Sequence, residues 1–176
     1  MLEQKLKSVI RDVPDFPKPG IIFKDITPIL HQADLRKAIV EEISKYFMHQ
    51  KIDAVAGIEA RGFIFGVGIA DQLGVPFIPV RKSGKLPYEK ISESYDLEYG
   101  QASIEMHTDA IHKGWKVLVH DDLLATGGTA AATARLIQKL GGNLVGFSFL
   151  VNLGFLPGQD LLEKEFSVKP HALITY

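Results

Sequence analysis

The sequence predicts an α/β fold built on a parallel sheet with helices on both faces. Two observations carry that expectation. Short runs such as "DAVAGI", "WKVLVH" and "LVGFSFLV" are almost wholly apolar and alternate with helical stretches, and continuously apolar strands are those covered on both faces. A third observation marks an exception. Between Arg81 and Ile111 a polar loop leads to "YDLEYG" and "ASIEMH", whose alternation is that of an antiparallel pair.

The elements follow in order. Leu2, Leu6, Val9, Ile10 and Val13 recur at helical spacing and predict an amphipathic helix over 2–13. Three prolines and a glycine in "PDFPKPG" end it in an extended or turning stretch. "IIF" is β-like, and "KDITPIL" sets Thr27 as an N-cap ahead of Pro28. Leu35, Ala38, Ile39, Ile43, Tyr46 and Phe47 line one face of the next helix. "DAVAGI" is then a strand, "GFIFGVGIADQL" a helix apolar nearly all round, and "PFIPV" a strand. After the polar loop and antiparallel pair come the strand "WKVLVH", the helix "GGTAAATARLIQKL" and the strand "LVGFSFLV". A short helix in "LPGQDLLEKE" and the strand "HALIT" complete the chain.

Composition bounds the function. With 176 residues, 46% hydrophobic and 23% charged, the chain suits one soluble domain spanning 1–176. A net charge of −1 gives no bulk electrostatic case for nucleic acid or a membrane surface as partner. The absence of cysteine excludes disulfides and thiolate chemistry and fits a reducing compartment. Met1 opens a mixed-charge segment rather than a signal peptide, and no apolar run is long enough to span a membrane. The expectation is a cytoplasmic protein.

"VLVHDDLLATGGTAAATA" sets Asp121 and Asp122 directly before a glycine turn that opens a helix. In open α/β sheets ligands bind beyond the carboxyl ends of the strands, so a strand ending at Asp121 places both carboxylates on that rim. The first turn of a helix offers N–H groups without intrahelical acceptors and the positive end of the dipole, together an anion site. Thr126, Gly127, Gly128 and Thr129 let the backbone close on a phosphate and add two hydroxyls. Read blandly, they are a helix cap with Thr126 as N-cap, and the turn alone leaves the two readings even. Neither Gly-Lys-Ser/Thr nor a G-x-G-x-x-G turn opens this helix. The acidic pair decides, because carboxylates accept hydrogen bonds from vicinal hydroxyls. A ligand with a 5′-phosphate beside a ribose diol satisfies both ends of the stretch.

With its strand, acidic pair and turn, "VLVHDDLLATGGT" resembles the phosphoribosyl-pyrophosphate motif of type I phosphoribosyltransferases. "FPKPGIIFKDITPIL", "GIEARGFIFG", "RKSGKLP" and "SYDLEYG" narrow the resemblance to the adenine phosphoribosyltransferases, in that family's order over nearly the whole chain. The resemblance implies the type I phosphoribosyltransferase fold, with an N-terminal hood from about residues 1–30 and a flexible antiparallel loop and hairpin. It implies transfer of phosphoribose from phosphoribosyl pyrophosphate to adenine, giving AMP and pyrophosphate, a purine-salvage reaction. Mg²⁺ is the implied cofactor, held mainly by the substrate diphosphate and waters rather than by protein ligands.

Carried onto this chain, Ala125, Thr126, Gly127, Gly128 and Thr129 hold the 5′-phosphate. Asp121 and Asp122 hold the ribose hydroxyls and balance the oxocarbenium-like charge at C1′. Glu59, Ala60, Arg61 and Gly62 form the pyrophosphate loop, Arg61 reaching the leaving group, and the Glu59–Ala60 peptide is expected to be cis. Ile22 and Lys24 match the adenine-binding stretch, with lysine where the family has arginine; core packing is the plain alternative for Ile22 and Phe23. Arg81, Lys82 and Lys85 belong to a cationic lid that excludes water, where a solvated loop is the usual reading of such a run. Glu98 serves the purine N7 side as a catalytic residue, and Tyr99 lies near the closing loop. His120 departs from the apolar residue expected there and reads as a packed strand residue. A homodimer is implied, residues near Arg81 approaching the neighbour's site. Two rivals remain: a phosphoribosyltransferase for hypoxanthine or guanine, and a non-catalytic ligand-sensing regulator on this fold, disfavoured by the neutral charge and the lack of a helix-turn-helix segment.

Overall fold

The computed structural model describes residues 1–97 and 100–176. Helix α1 (Leu2–Val9) buries Leu6 but stops short of the expected residue 13. Ile10 turns extended at ψ 130, and β1 (Arg11–Pro14) pairs antiparallel with β2 (Ile22–Asp25), Asp12 opposite Lys24 and Val13 opposite Phe23. The ladder satisfies backbone groups that helical periodicity alone had assigned elsewhere. The connecting turn contains a cis Phe16–Pro17 bond. In α2 (Thr27–Leu30) the cap also differs: Asp25 Oδ1 accepts from the Thr27 N–H at 2.9 Å and from its hydroxyl at 2.5 Å, so Thr27 is the capped residue rather than the cap.

Helix α3 (Ala33–Phe47) buries Leu35, Ile39, Ile43 and Phe47. Tyr46, expected on that face, is exposed and stacks on His171, centroids 3.8 Å apart. Next come β3 (Ala54–Ile58), buried throughout, α4 (Arg61–Leu73) and β4 (Phe77–Lys82). The antiparallel pair is β5 (Lys90–Asp96) and β6 (Gln101–His107). Its first strand begins at Lys90, so the polar loop is shorter than its composition suggests. The chain then runs through β7 (Lys116–Leu124), α5 (Gly128–Lys139), β8 (Asn143–Asn152), α6 (Gly158–Phe166) and β9 (His171–Thr175).

Seven strands form one sheet in the order β5-β6-β4-β3-β7-β8-β9, and β1-β2 form a separate two-stranded sheet. Strands β4, β3, β7, β8 and β9 are mutually parallel, while β6 joins β4 antiparallel. One core cluster gathers Val117, Val119, Phe147 and Phe149 with α5 residues Ala131, Leu136 and Ile137. The other gathers Leu118 and Val55 with Ile39 and Ile43 of α3 and Phe65 and Ile69 of α4. Each large aliphatic or aromatic side chain so buried contributes roughly 1.5–3 kcal/mol. From β3 the chain crosses to β4 on one side, and from β7 to β8 on the other. The strand order therefore reverses between β3 and β7, where open α/β sheets form their ligand crevice.

Candidate functional site

The carboxyl ends of β3 and β7 lie side by side, Gly57 opposite His120, and each feeds one of the loops singled out by sequence. Strand β7 does not end at Asp121. It continues to Leu124 because β8 runs alongside, pairing Leu123 with Val151 and Leu124 with Asn152. Both aspartates thus lie within the strand, where successive side chains diverge. Asp121 lines a cavity of about 90 Å³ together with Ala125, Thr126, Gly127, Gly128 and Thr129. Burial and the adjacent Asp122 carboxylate push the Asp121 carboxyl well above the usual range. Asp122 is buried and accepts from Arg61 Nε at 2.6 Å.

The glycine turn takes the shape an anion site needs. Gly127, not Thr126, occupies the N-cap of α5, with φ 83, a left-handed conformation that glycine adopts without steric cost. The first turn of α5 then presents N–H groups with no intrahelical acceptors. From behind, the Gly158 N–H donates to the Ala125 carbonyl at 3.1 Å, so the start of α6 braces the loop.

On the β3 side the Glu59–Ala60 peptide is cis, as the resemblance implied. The Glu59 carboxylate turns to β4, accepting from the Lys82 N–H at 2.9 Å and from Arg81 Nε at 3.2 Å. Burial opposes its charge, but these two donors outweigh burial and hold the carboxyl below its usual range. Arg81 also donates to the Lys85 carbonyl at 3.1 Å. Arg81 and Lys82 end β4 and pair with Glu105 and Ile104 of β6, and Lys85 lies exposed in the turn beyond. Gly62 packs against β7, where a Cβ would come 2.9 Å from Asp121 Oδ1. The loop at residues 59–62 and the acidic pair are therefore in direct contact.

Arg61 links three parts of the site. Its Nε is paired with Asp122, its Cζ lies 5.3 Å from the Phe23 ring centroid, and its side chain is 47% exposed. Phe23, for which core packing is the plain alternative in sequence, is half-buried at the crevice with Phe16 edge-on at 5.2 Å. The available signal was strand alternation, which sets Phe23 on the opposite face of β2 from Ile22 and Lys24. Ile22 is exposed. The Lys24 ammonium is held by Asp12 at 2.7 Å and by the Tyr176 ring at 3.9 Å, a pairing that no motif announced. Glu98 and Tyr99 lie outside the described residues.

His120 is a packed strand residue, fully buried with Nδ1 3.3 Å from Ser148 Oγ. Burial pushes its imidazole down to about 3, outweighing the hydrogen bond to Ser148, so the ring is neutral at physiological pH. A larger cavity of about 450 Å³ lies between α3 and α4, lined by Arg36, Lys37, Glu41 and Ile64 among others. Its charges are of mixed sign and it touches neither loop. No helix among the described residues is long and apolar enough to cross a membrane.

The comparisons with known proteins agree with this geometry. Residues 25–170 match the family model of the phosphoribosyl transferase domain. The chain is 56% identical over 162 residues to an adenine phosphoribosyltransferase of Cytophaga hutchinsonii, covering 92% of this chain and 90% of that one. Its structure resembles that of adenine phosphoribosyltransferase from Thermoanaerobacter pseudethanolicus, with a TM-score of 0.95, 46% identity and full coverage of both chains. It also resembles the Saccharomyces cerevisiae adenine phosphoribosyltransferase complexed with adenine and an imino-altritol bisphosphate, with a TM-score of 0.90, 37% identity and 98% coverage of each chain.

Proposed function

The chain belongs to the adenine phosphoribosyltransferases, and from that premise we propose how its residues transfer phosphoribose from phosphoribosyl pyrophosphate to adenine, giving AMP and pyrophosphate. One observation carries the reading: a helix-opening glycine turn and a second loop bearing Arg61 meet at the carboxyl ends of β3 and β7, with two carboxylates between them. The 5′-phosphate is held by backbone N–H groups of Thr126, Gly127, Gly128 and Thr129, with Ala125 completing the loop. Asp121 and Asp122 accept from the ribose hydroxyls. Their negative charge also stabilises the oxocarbenium-like C1′ as its bond to pyrophosphate breaks. Arg61, Ala60 and Gly62 face the leaving diphosphate, with Nε of Arg61 fixed by Asp122 and its remaining N–H groups turned to the phosphates. Glu59 orients Arg81 and Lys82 from below.

Phe23 offers the purine an aromatic face, and the edge of β2 not paired with β1 offers main-chain groups of Ile22 and Lys24. Adenine presents an acceptor at N1 beside a donor at N6, the reverse of hypoxanthine and guanine. One register of main-chain N–H and C=O therefore suits only one of them, and a site built to pair one pattern leaves polar groups unmatched with the other. Glu98 exchanges a proton or balances charge near N7, and Tyr99 and Lys85 join the lid.

Among the described residues no group of three acidic, histidine or cysteine side chains could cage a cation. We propose that Mg²⁺ would arrive on the diphosphate, since Mg²⁺ keeps most of its waters and takes one or two carboxylates plus substrate phosphates. It would supply charge neutralisation on the leaving group. We read residues 1–176 as one functional unit, with about residues 1–30 as the hood over the base. A homodimer is the proposed assembly and the cytoplasm the proposed setting, in keeping with a chain without cysteine. Pyrophosphate release with adenine, hypoxanthine and guanine in parallel tests the whole: adenine should support turnover and the other two should not. Release with hypoxanthine or guanine at the same rate would refute the base assignment, and no release with any of them would refute catalysis.

A further inference from the structure

A two-stranded sheet is marginally stable by itself in water, so the β1–β2 hairpin needs a fastening to serve as a base-binding edge. The chain after β2 is anchored by the buried Ile26 and Ile29; within β2, Phe23 meets Arg61 of α4, and Lys24 reaches the large sheet through Tyr176. Its side chain is only 12% exposed. The ammonium is gripped by Asp12 on β1 at 2.7 Å and lies 3.9 Å from the centroid of the Tyr176 ring. Asp12 and Lys24 are also register partners, so one cation closes the hairpin and docks it. Tyr176 is itself bolted to the large sheet. Its N–H donates to the Asn152 carbonyl at 3.0 Å, and its carbonyl accepts from the Gly154 N–H at 2.9 Å.

We infer that Tyr176 is a positioning residue for the base subsite: its ring pins the Lys24 ammonium and so fixes the β2 edge against the crevice. Lys24 then does not read the base through its side chain, which is already engaged on two sides. The ammonium is a compact point charge that one ring face and one carboxylate satisfy together. The inference rests on the reading of β2 as the strand that meets adenine, and the experiment separates the two.

Adenine KM, phosphoribosyl-pyrophosphate KM and kcat are measured for wild type and for Tyr176→Leu, Tyr176→Phe, Lys24→Met, the Tyr176→Leu/Lys24→Met double variant and Phe23→Ala, with thermal melts as a fold control. Tyr176→Leu should raise adenine KM roughly 3- to 10-fold, the scale of a partly desolvated cation–π contact, with kcat and phosphoribosyl-pyrophosphate KM little changed. Tyr176→Phe keeps the ring and should restore adenine KM. Lys24→Met should raise adenine KM at least as much as Tyr176→Leu, because it also removes the pair with Asp12, and the double variant should be no worse than Lys24→Met, because the Tyr176 contact is then already lost. A raised adenine KM for Phe23→Ala with none for Tyr176→Leu overturns the positioning role while leaving the base site standing. No change for either removes β2 from the base site and the inference with it. Equal losses in both KM values and kcat, or failure of Tyr176→Phe to restore adenine KM, also overturn it, the first showing that Tyr176 serves overall stability.

Discussion

A carboxylate beside a diphosphate repels it unless other groups claim its charge, and Glu59 is claimed by the Lys82 N–H and Arg81. In the proposed mechanism that glutamate acts through its cationic neighbours, within the loop assigned to the leaving group. Glu98 is the opposite case, a glutamate whose proposed role at the base comes from the resemblance. As N9 of adenine attacks C1′, the purine gains positive character, and a carboxyl group near N7 can stabilise it or exchange its proton. Glu98→Gln keeps the shape and a hydrogen bond but removes the titrating proton. Turnover with adenine should fall by roughly the 10²–10⁴-fold of a lost general acid–base group. Phosphoribosyl-pyrophosphate affinity, measured directly, should stay close to wild type because Asp121, Asp122 and the loop 125–129 are untouched. Near-normal turnover would take Glu98 out of the mechanism, and matched losses of turnover and binding would indicate a disturbed site.

The proposed phosphate loop is an element shaped by its neighbour as much as by its own glycines. Gly158 at the start of α6 lies so close that a Cβ there would collide with the Ala125 carbonyl oxygen and come 2.9 Å from Leu124 Cδ1. A backbone oxygen cannot swing aside like the end of a long side chain, so the loop itself must shift. Gly158→Ala should raise the phosphoribosyl-pyrophosphate KM by about tenfold or more, since misplacing a positioned group by about an ångström costs up to 10²-fold. Adenine KM should change far less, and a variant with unaltered phosphoribosyl-pyrophosphate KM would show that α6 does not set the loop. This brace was invisible in sequence, because "LPGQDLLEKE" reads only as a short helix. What sequence shows well is each element's own pattern: the alternation of apolar runs and helices, the glycine turn, the acidic pair and "GIEARG". What it hides is pairing between distant positions. Strand β7 runs past Asp121 because β8 continues beside it, and β1 leaves the helical register because β2 is its partner. Arg61 meets Asp122 across 61 positions of chain.

At the scale of the molecule, two adjacent residues in the middle of the sheet set opposing pH dependences. His120 has its folded pKa lowered from 6.5 to about 3 by burial. Below pH 6.5 the unfolded chain takes up a proton that the folded chain refuses, so this residue makes stability fall as pH drops toward 3. Asp121 has its folded pKa raised well above 3.8 by burial and by Asp122. Above pH 3.8 the unfolded chain releases a proton that the folded chain retains, so this residue makes stability fall as pH rises. Each effect has a limiting slope of about 1.4 kcal/mol per pH unit, and where the windows overlap they cancel. Half-buried His171, also lowered by burial, adds a smaller contribution in the direction of His120. Asp25, Glu59 and Glu93, all held below their usual range, act at lower pH, where stability is lost as they protonate. In the part of the His120 window, from about 3 to 6.5, that lies above 3.8 and where Asp121 still holds its proton, denaturant titrations of the ligand-free protein should therefore show a shallow wild-type dependence. His120→Leu should leave stability falling as pH rises, and Asp121→Asn should leave it rising with a slope of up to about 1.4 kcal/mol per unit. The double variant should return toward the wild-type slope. Single variants with the wild-type slope would mean that neither group carries a buried titration penalty. Asp121→Asn should also weaken phosphoribosyl-pyrophosphate binding while stabilising the protein at neutral pH, because the carboxylate offered to the ribose hydroxyls is the one that burial disfavours.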